Sequence, residues 1–309
     1  MLHQHHTGPG EVYHVPVMLH EAVDGLMIQP SGIYVDCTFG GGGHSREILK
    51  KLDASGRLIV FDQDPAAAAN LPEDSRILFI PHNFRHITRF LKLHHIEKVD
   101  GVLADLGVSS RQFDDAARGF STRFEGPLDM RMDPSQHKTA AQILTGYSQQ
   151  QLHKIFEQYG EVTNAKTLAA AIVQQRLLAP FQTIAQFKMT LQHVVKGNPH
   201  KYWAQVFQAL RIEVNEELSA LQELLEQLPD LLKPNGRIAI ISFHSLEDRI
   251  VKIFFKKGTL HAEEEHPFSR ETKPEIFRVI TKKPIEPTPS EIISNPRSRS
   301  ARLRIAEKI

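Results

Sequence analysis

The run Asp36-Cys37-Thr38-Phe39-Gly40-Gly41-Gly42-Gly43-His44 sets four consecutive glycines behind a short apolar stretch and ahead of a helical pattern. A glycine-rich turn between a strand and a helix lets backbone approach a ligand closely and aims the N–H groups of the helix start at it. Asp62 stands twenty residues beyond Gly42, at the end of the next apolar stretch. There a single carboxylate can accept both hydrogen bonds of a ribose diol. Together these features point to a nucleotide-type cofactor, either a dinucleotide or S-adenosylmethionine. Asn83-Phe84 follows the third stretch and suits adenine edge recognition and stacking, with a core aromatic as the alternative for Phe84. Asp105 ends the fourth. It is the first candidate for contact with the cofactor or an amine, and the alternative is a carboxylate capping the following turn.

These residues need a scaffold that brings strand ends together. Apolar, β-rich stretches at 33–37, 57–61, 77–80 and 99–104 alternate with helical patterns, the first carrying Val15, Leu19, Ala22, Val23 and Leu26. Such alternation implies right-handed βαβ units and a parallel sheet. The rhythm stops near Val108, and residues 111–137 read as irregular. Helical patterns follow. Ser148 and Gln151 form a capping box ahead of Leu152, Ile155, Phe156 and Tyr159. Leu168, Ile172 and Val173 share a face, as do Ile184, Phe187, Leu191 and Val194. A further helical stretch spans 202–228, broken near Asn215. Lys233-Pro234-Asn235-Gly236 then turns into a β-branched strand at 237–242. A helix at 246–256, a charged loop at 263–274 and closing strands at 276–280 and 301–306 complete the chain. The expected architecture is one Rossmann-like α/β domain, residues 1–111 and 212–309, interrupted by an all-helical insertion over 112–211.

Composition narrows the class. Of 309 residues, 41% are hydrophobic and 24% charged, which suits a packed globular core. No uninterrupted apolar run approaches the ~20 residues of a membrane span, and residues 1–10 show no apolar h-region of a secretory signal. The lone Cys37 can form no internal disulfide, which fits a reducing, cytoplasmic setting. His3, His5 and His6 have no carboxylate or thiolate at ligand spacing beside them, so they read as a tail and no metal is expected. The net charge of +1 predicts no partner by itself. Arg297, Arg299, Arg302, Arg304 and Lys308 do concentrate positive charge near the end of the chain. They form either a phosphate-binding cluster or a solvated terminal strand.

Two details favour the methyl donor over the dinucleotide. Ser45 stands where the dinucleotide fingerprint carries its third glycine, and Asp36 precedes the glycines, where methyltransferase folds commonly hold an acid. With the fourth strand the likeness becomes specific. Asp100-Gly101-Val102-Leu103-Ala104-Asp105-Leu106-Gly107-Val108-Ser109-Ser110 resembles the bacterial small-subunit ribosomal RNA cytosine-N4 methyltransferases, the MraW/RsmH family. So do His14-Val15-Pro16-Val17, the glycine turn, Gly126-Pro127-Leu128-Asp129-Met130-Arg131-Met132-Asp133, Ser242-Phe243-His244-Ser245-Leu246-Glu247-Asp248-Arg249 and Asn295-Pro296-Arg297-Ser298-Arg299-Ser300. The six blocks stand in family order from His14 onward.

The resemblance implies a class I methyltransferase core with a helical insertion, and the break in α/β rhythm directly after the catalytic loop suggests that insertion as the RNA-recognition domain. It implies S-adenosyl-L-methionine as donor and the N4 amine of a cytidine in the decoding region of 16S rRNA, in the small ribosomal subunit, as acceptor. It also allows a homodimer. Matched by motif, the cofactor residues are Gly42, Gly43, His44, Asp62, Phe84, Asp105 and Gln112. Gly41 departs from the pattern, where many relatives are expected to carry arginine or another side chain, and the 263–274 loop looks shorter than in some. Methyl transfer is an in-line displacement that needs alignment, and cytosine N4 is a poor nucleophile because its lone pair is delocalised into the ring. Acceptors for its two protons can turn that lone pair toward the methyl carbon, a task assigned here to Asp105. Asp105-Leu106-Gly107-Val108 lacks the prolines and aromatic of the usual amino-methyltransferase loop, so stacking of the flipped base falls to Phe113, Phe120 or Phe124, each of which could instead be core. His244 and Asp248 are candidates to move the released proton or bind phosphate, or they simply cap the following helix. Arg131, Arg249, Arg297 and Arg299 are candidate phosphate contacts. An NAD-dependent oxidoreductase and a non-catalytic RNA-binding assembly factor remain as alternatives.

Overall fold

The computed structural model describes residues 16–260 and 275–309. His3, His5, His6, His14, Val15 and the 263–274 loop lie outside them. Among the described residues seven strands form one sheet: β1 (Ile33–Asp36), β2 (Arg57–Phe61), β3 (Ile77–Ile80), β4 (Val99–Asp105), β5 (Leu232–Ser242), β6 (Phe277–Val279) and β7 (Arg302–Lys308). Their order is β3-β2-β1-β4-β5-β7-β6. The first five are parallel, and β7 runs antiparallel to both of its neighbours.

Side chains along a strand point alternately to opposite faces, and here both faces are apolar because both are covered. Val35, Ile59, Phe61, Val102, Ala104, Ile238 and Ile240 pack on one side with Leu91, Leu221, Leu225 and Phe254. Tyr34, Leu58, Val60, Leu103, Ala239 and Ile241 pack on the other with Ala22, Val23, Ile48 and Leu49. The chain proceeds outward from β1 to β3, then returns to place β4 on the other side of β1. The crevice beyond the carboxyl ends of β1 and β4 is therefore the topological switch point, where ligands of such sheets bind.

The connection from β4 to β5 carries a separate helical core. Its buried residues run from Phe120 through Met132, Leu152, Phe156, Phe187 and Trp203 to Val214. The helix Pro199–Asn215 continues beyond residue 211, so this core reaches further than the expected insertion limit. The break expected near Asn215 is present: Glu216 takes a left-handed φ of 52° between that helix and Glu217–Leu231. The Asn215 amide fastens the break to the preceding segment, accepting from Met132 N–H at 2.7 Å and donating to the Met130 carbonyl at 2.8 Å.

Two local readings change. The turn at residues 233–236 is an excursion inside β5, since Val99 pairs with Leu232 and Gly101 with Arg237. Asp100 faces the excursion and holds Lys233 Nζ at 2.8 Å. The terminal basic stretch is solvated only in part: Arg297, Arg299 and Arg302 are exposed, while β7 itself lies within the sheet between β5 and β6. Arg304 is buried and pairs with Asp248 at 2.6 Å.

Candidate active site

The turn after β1 is built by sterics. Gly42 has a φ of +74°, and a Cβ there would stand 2.9 Å from the Phe39 ring. At Gly43 a Cβ would stand 2.0 Å from Pro16 Cγ, so this glycine lets the helix Gly43–Lys51 start against the chain at Pro16. Nothing lies within 4 Å of a Cβ at Gly41, so the turn has room for a side chain at this position.

Asp62, just past β2, clamps the turn. Its Oδ2 accepts the Gly40 N–H at 2.7 Å and its Oδ1 the Asp64 N–H at 2.8 Å. Burial pushes the Asp62 carboxyl up to about 6, against the pull of those two N–H groups. Beside it, Gln63 Oε1 accepts from Asn83 Nδ2 at 2.8 Å, and Asn83 caps the turn that holds Phe84. Phe84 is half-buried, with part of its surface against the core under the sheet. Asp62, Asn83 and Phe84 thus form the β2–β3 wall of the crevice.

Asp36, His44 and Asp105 converge from β1, the helix behind the glycines and β4. Asp36 is buried and accepts from Ser45 Oγ at 2.6 Å and Thr38 N–H at 3.0 Å. His44 Nε2 donates to the Val17 carbonyl at 3.0 Å, which turns Nδ1 to within 3.9 Å of Asp105 Oδ2. Thr38 Oγ1 accepts the Asp105 N–H at 2.7 Å and fixes the end of β4. The other carboxylate oxygen, Asp105 Oδ1, is buried without a hydrogen-bond partner. Burial, reinforced by the charges of Asp36 and Glu247, holds the Asp105 carboxyl well above the ordinary range, and burial raises Asp36 too.

Three acids that resist ionisation around one crevice discriminate between ligands. A sulfonium with an α-ammonium group would relieve the surplus negative charge, whereas the pyrophosphate of a dinucleotide would add to it. The residues present fit S-adenosylmethionine in kind: Asp62 would take the ribose hydroxyls, Asn83 and Phe84 the adenine, and Asp36 and Asp105 the methionine and sulfonium.

Gln112 is buried against this wall and donates through Nε2 to Asp64 Oδ2 at 2.9 Å. Arg118 reaches the same oxygen at 2.8 Å and also holds the Arg131 and Met132 carbonyls. Sequence reasoning passed over Asp64, although its spacing from Asp62 was visible. It also passed over Thr38.

On the far side of β4, His244 follows β5. Its Nε2 stands 3.1 Å from Glu247 Oε1, and both of its ring nitrogens are buried without a hydrogen-bond partner. Glu217, His244 and Glu247 bring their ligand-type atoms within 4.8 Å of one another. Arg211 grips both oxygens of Glu217, at 2.9 and 3.1 Å, and supplies the counter-charge a cation would bring.

Several candidates are otherwise engaged. Asp248 does not share the pocket with His244, because Arg304 and Arg302 of β7 hold its carboxylate. Arg131 is held by Asp129 and by the Pro134 and Gln136 carbonyls, which leaves little of its guanidinium for phosphate. Phe120 is 6% exposed and belongs to the helical core. Phe113 is half-buried with the Arg297 guanidinium 5.0 Å over its ring, and Arg297 also pairs with Asp114. Phe124, Arg249 and Arg299 are exposed.

The profile of the MraW methylase family matches residues 11–309. The ribosomal RNA small subunit methyltransferase H of Cytophaga hutchinsonii is 52% identical over 96% of this chain and 100% of its own. Those of Bacteroides thetaiotaomicron and Flavobacterium johnsoniae are each 50% identical over 96% of this chain, and over 97% and 98% of their own. Among the described residues no helix is long and apolar enough to cross a membrane.

Proposed function

The chain belongs to the MraW methylase family, and from that membership we propose that it methylates the N4 amine of a cytidine in the decoding region of 16S rRNA, in the cytoplasm. The observation that carries the reading is Asp105 Oδ1, a buried acceptor without a donor at the switch point, beside the turn that suits the methyl donor. S-adenosylmethionine supplies an electrophilic methyl group. As the S–CH3 bond breaks and the N–CH3 bond forms, the amine nitrogen gains positive charge and sheds one proton. Asp105 accepts from the amine and orients its lone pair, and His244, with an open nitrogen at the next strand end, accepts the proton.

The helical insertion, residues 112–211, and the rim around it supply RNA contacts. Phe113 with Arg297, and the exposed Phe124, are the aromatic surfaces available to bases next to the flipped cytidine. Two alternatives lose ground. The acid-rich crevice disfavours an NAD-dependent oxidoreductase, and the orphaned Asp105 oxygen has no use in a purely RNA-binding assembly factor, where an apolar residue would serve better.

The test is mass mapping of rRNA nucleosides from cells with and without this gene, together with initial rates on naked 16S rRNA, assembled small subunits and whole ribosomes. Loss of N4-methylation at a decoding-region cytidine is expected. The assembled subunit should be the faster substrate than naked RNA. The net charge of +1 gives little long-range attraction for a loose transcript, and flipping a base costs least where folded RNA already exposes it. Unchanged nucleosides would refute the function, and equal or faster methylation of naked RNA would refute the preference for the subunit.

A further inference from the structure

We infer that Glu247 is a positioning residue of the methyl transfer, orienting the His244 imidazole while Arg211 and Glu217 brace it from the helical side. The inference rests on the reading that His244 takes the amine proton. Glu247 is itself immobilised: its side chain is 3% exposed, and its Oε2 accepts the Phe243 N–H at 2.8 Å. That leaves Oε1 fixed 3.1 Å from His244 Nε2. A carboxylate offers only lone pairs, so it selects the tautomer with hydrogen on Nε2 and leaves Nδ1 as the bare acceptor. Both ring nitrogens are buried without a hydrogen-bond partner; with Nε2 facing Glu247 Oε1, Nδ1 is the one that no carboxylate faces, and a proton leaving a substrate amine is the kind of donor it lacks.

The brace explains why two more charges are buried here. Arg211 lies on Pro199–Asn215, the helix that contributes Trp203, Val206 and Leu210 to the helical core. Glu217 opens the helix that covers the sheet. Without Arg211, Glu217 and Glu247 would repel each other across His244. With it, contact with the imidazole, the Phe243 N–H and Arg211 together hold the Glu247 carboxyl below the ordinary range against the effect of burial. The cluster therefore ties the helical unit to the loop after β5, and the orientation of the imidazole depends on both.

The experiment compares His244→Gln, Glu247→Gln and Glu247→Asp with the wild-type chain, measuring kcat, KM for assembled small subunits and Kd for S-adenosylmethionine. Glu247→Gln should lower kcat about tenfold to a hundredfold, with KM and Kd within about twofold of wild type. Glu247→Asp should recover part of the loss. A purely structural role would instead weaken substrate and cofactor binding together. If His244→Gln is slow and Glu247→Gln keeps the wild-type kcat, the positioning inference falls and the reading of His244 stands. If His244→Gln is as fast as wild type, the reading itself falls. Should Glu247→Gln fail to fold, Glu247→Asp decides alone, and a wild-type kcat overturns the inference. Wild-type activity abolished by a chelator and restored by zinc or manganese would assign Glu217, His244 and Glu247 to a metal and overturn it too.

Discussion

Replacing Asp62 by alanine is expected to weaken S-adenosylmethionine binding by at least about a hundredfold. Two hydrogen bonds to a carboxylate contribute roughly 1.5–3 kcal/mol each, and each 1.4 kcal/mol is about a factor of ten. The substitution also frees the Gly40 and Asp64 N–H groups, which Asp62 holds at 2.7 and 2.8 Å. The loss therefore combines missing ribose contacts with a loosened turn. The chain should still fold, because Asp62 lies outside the hydrophobic core clusters and is itself only half-buried. The carboxyl is pushed up to about 6, so the sign of the pH dependence is fixed. Binding needs the ionised form, so wild-type affinity should fall as pH drops through about 6, and binding near that pH should release a proton. Asp62→Asn should bind weakly with no such limb. Calorimetric titration between pH 5 and 8, in buffers of different ionisation enthalpy, reads all three effects. An alanine variant with wild-type affinity would remove Asp62 from the cofactor site.

What could be read from the sequence divides along physical lines. Strands β1 to β4 are apolar runs between turn signals, and each lies within one residue of its expected span because burial on both faces writes itself locally. The capping box at Ser148 and the break at Asn215 are equally local. Sequence motifs also placed Asp36, Asp62 and Asp105, since each ends or follows a strand and the parallel order brings those ends together. What stayed hidden is which charge meets which. Arg211 and Glu217 are six residues apart, a spacing with no helical meaning, and they meet only because Glu216 turns the chain left-handed. Asp248 and Arg304 stand 56 residues apart on elements whose register no sequence period reveals. The same blindness made Arg131 look like a free phosphate ligand, when a carboxylate two residues away and two carbonyls engage it. Phe120, Phe113 and Phe124 were indistinguishable as residue types. Packing alone separates the core ring from the one beneath a guanidinium and the one open to solvent.

Asp105→Asn should abolish methylation, with kcat at least about a thousandfold lower, and yet raise the stability of the cofactor-free protein. Both signs come from one geometry. Asp105 Oδ1 is buried and unpartnered, close to Asp36 and Glu247, which raise its carboxyl further beyond the effect of burial. An isolated buried acceptor costs about 1–3 kcal/mol, and a residue held at that cost without a structural partner is the mark of a site tuned for function over stability. Asparagine keeps the shape and removes the charge. Linkage sets the pH dependence: a carboxyl raised in the folded state favours folding while protonated and opposes it as pH climbs above the ordinary carboxylate range. The gain in Tm of Asp105→Asn over wild type should therefore be small at pH 5 and larger at pH 8. Activity fails for the complementary reason. The amide presents one acceptor in place of two and adds a donor toward the amine, so the lone pair of N4 loses its alignment and the developing positive charge loses its counter-ion. Thermal melts of the two proteins at pH 5 and pH 8, with single-turnover methylation of assembled small subunits, measure both halves. An inactive variant that is also less stable would make Asp105 a structural carboxylate, and an active one would move the chemistry away from β4.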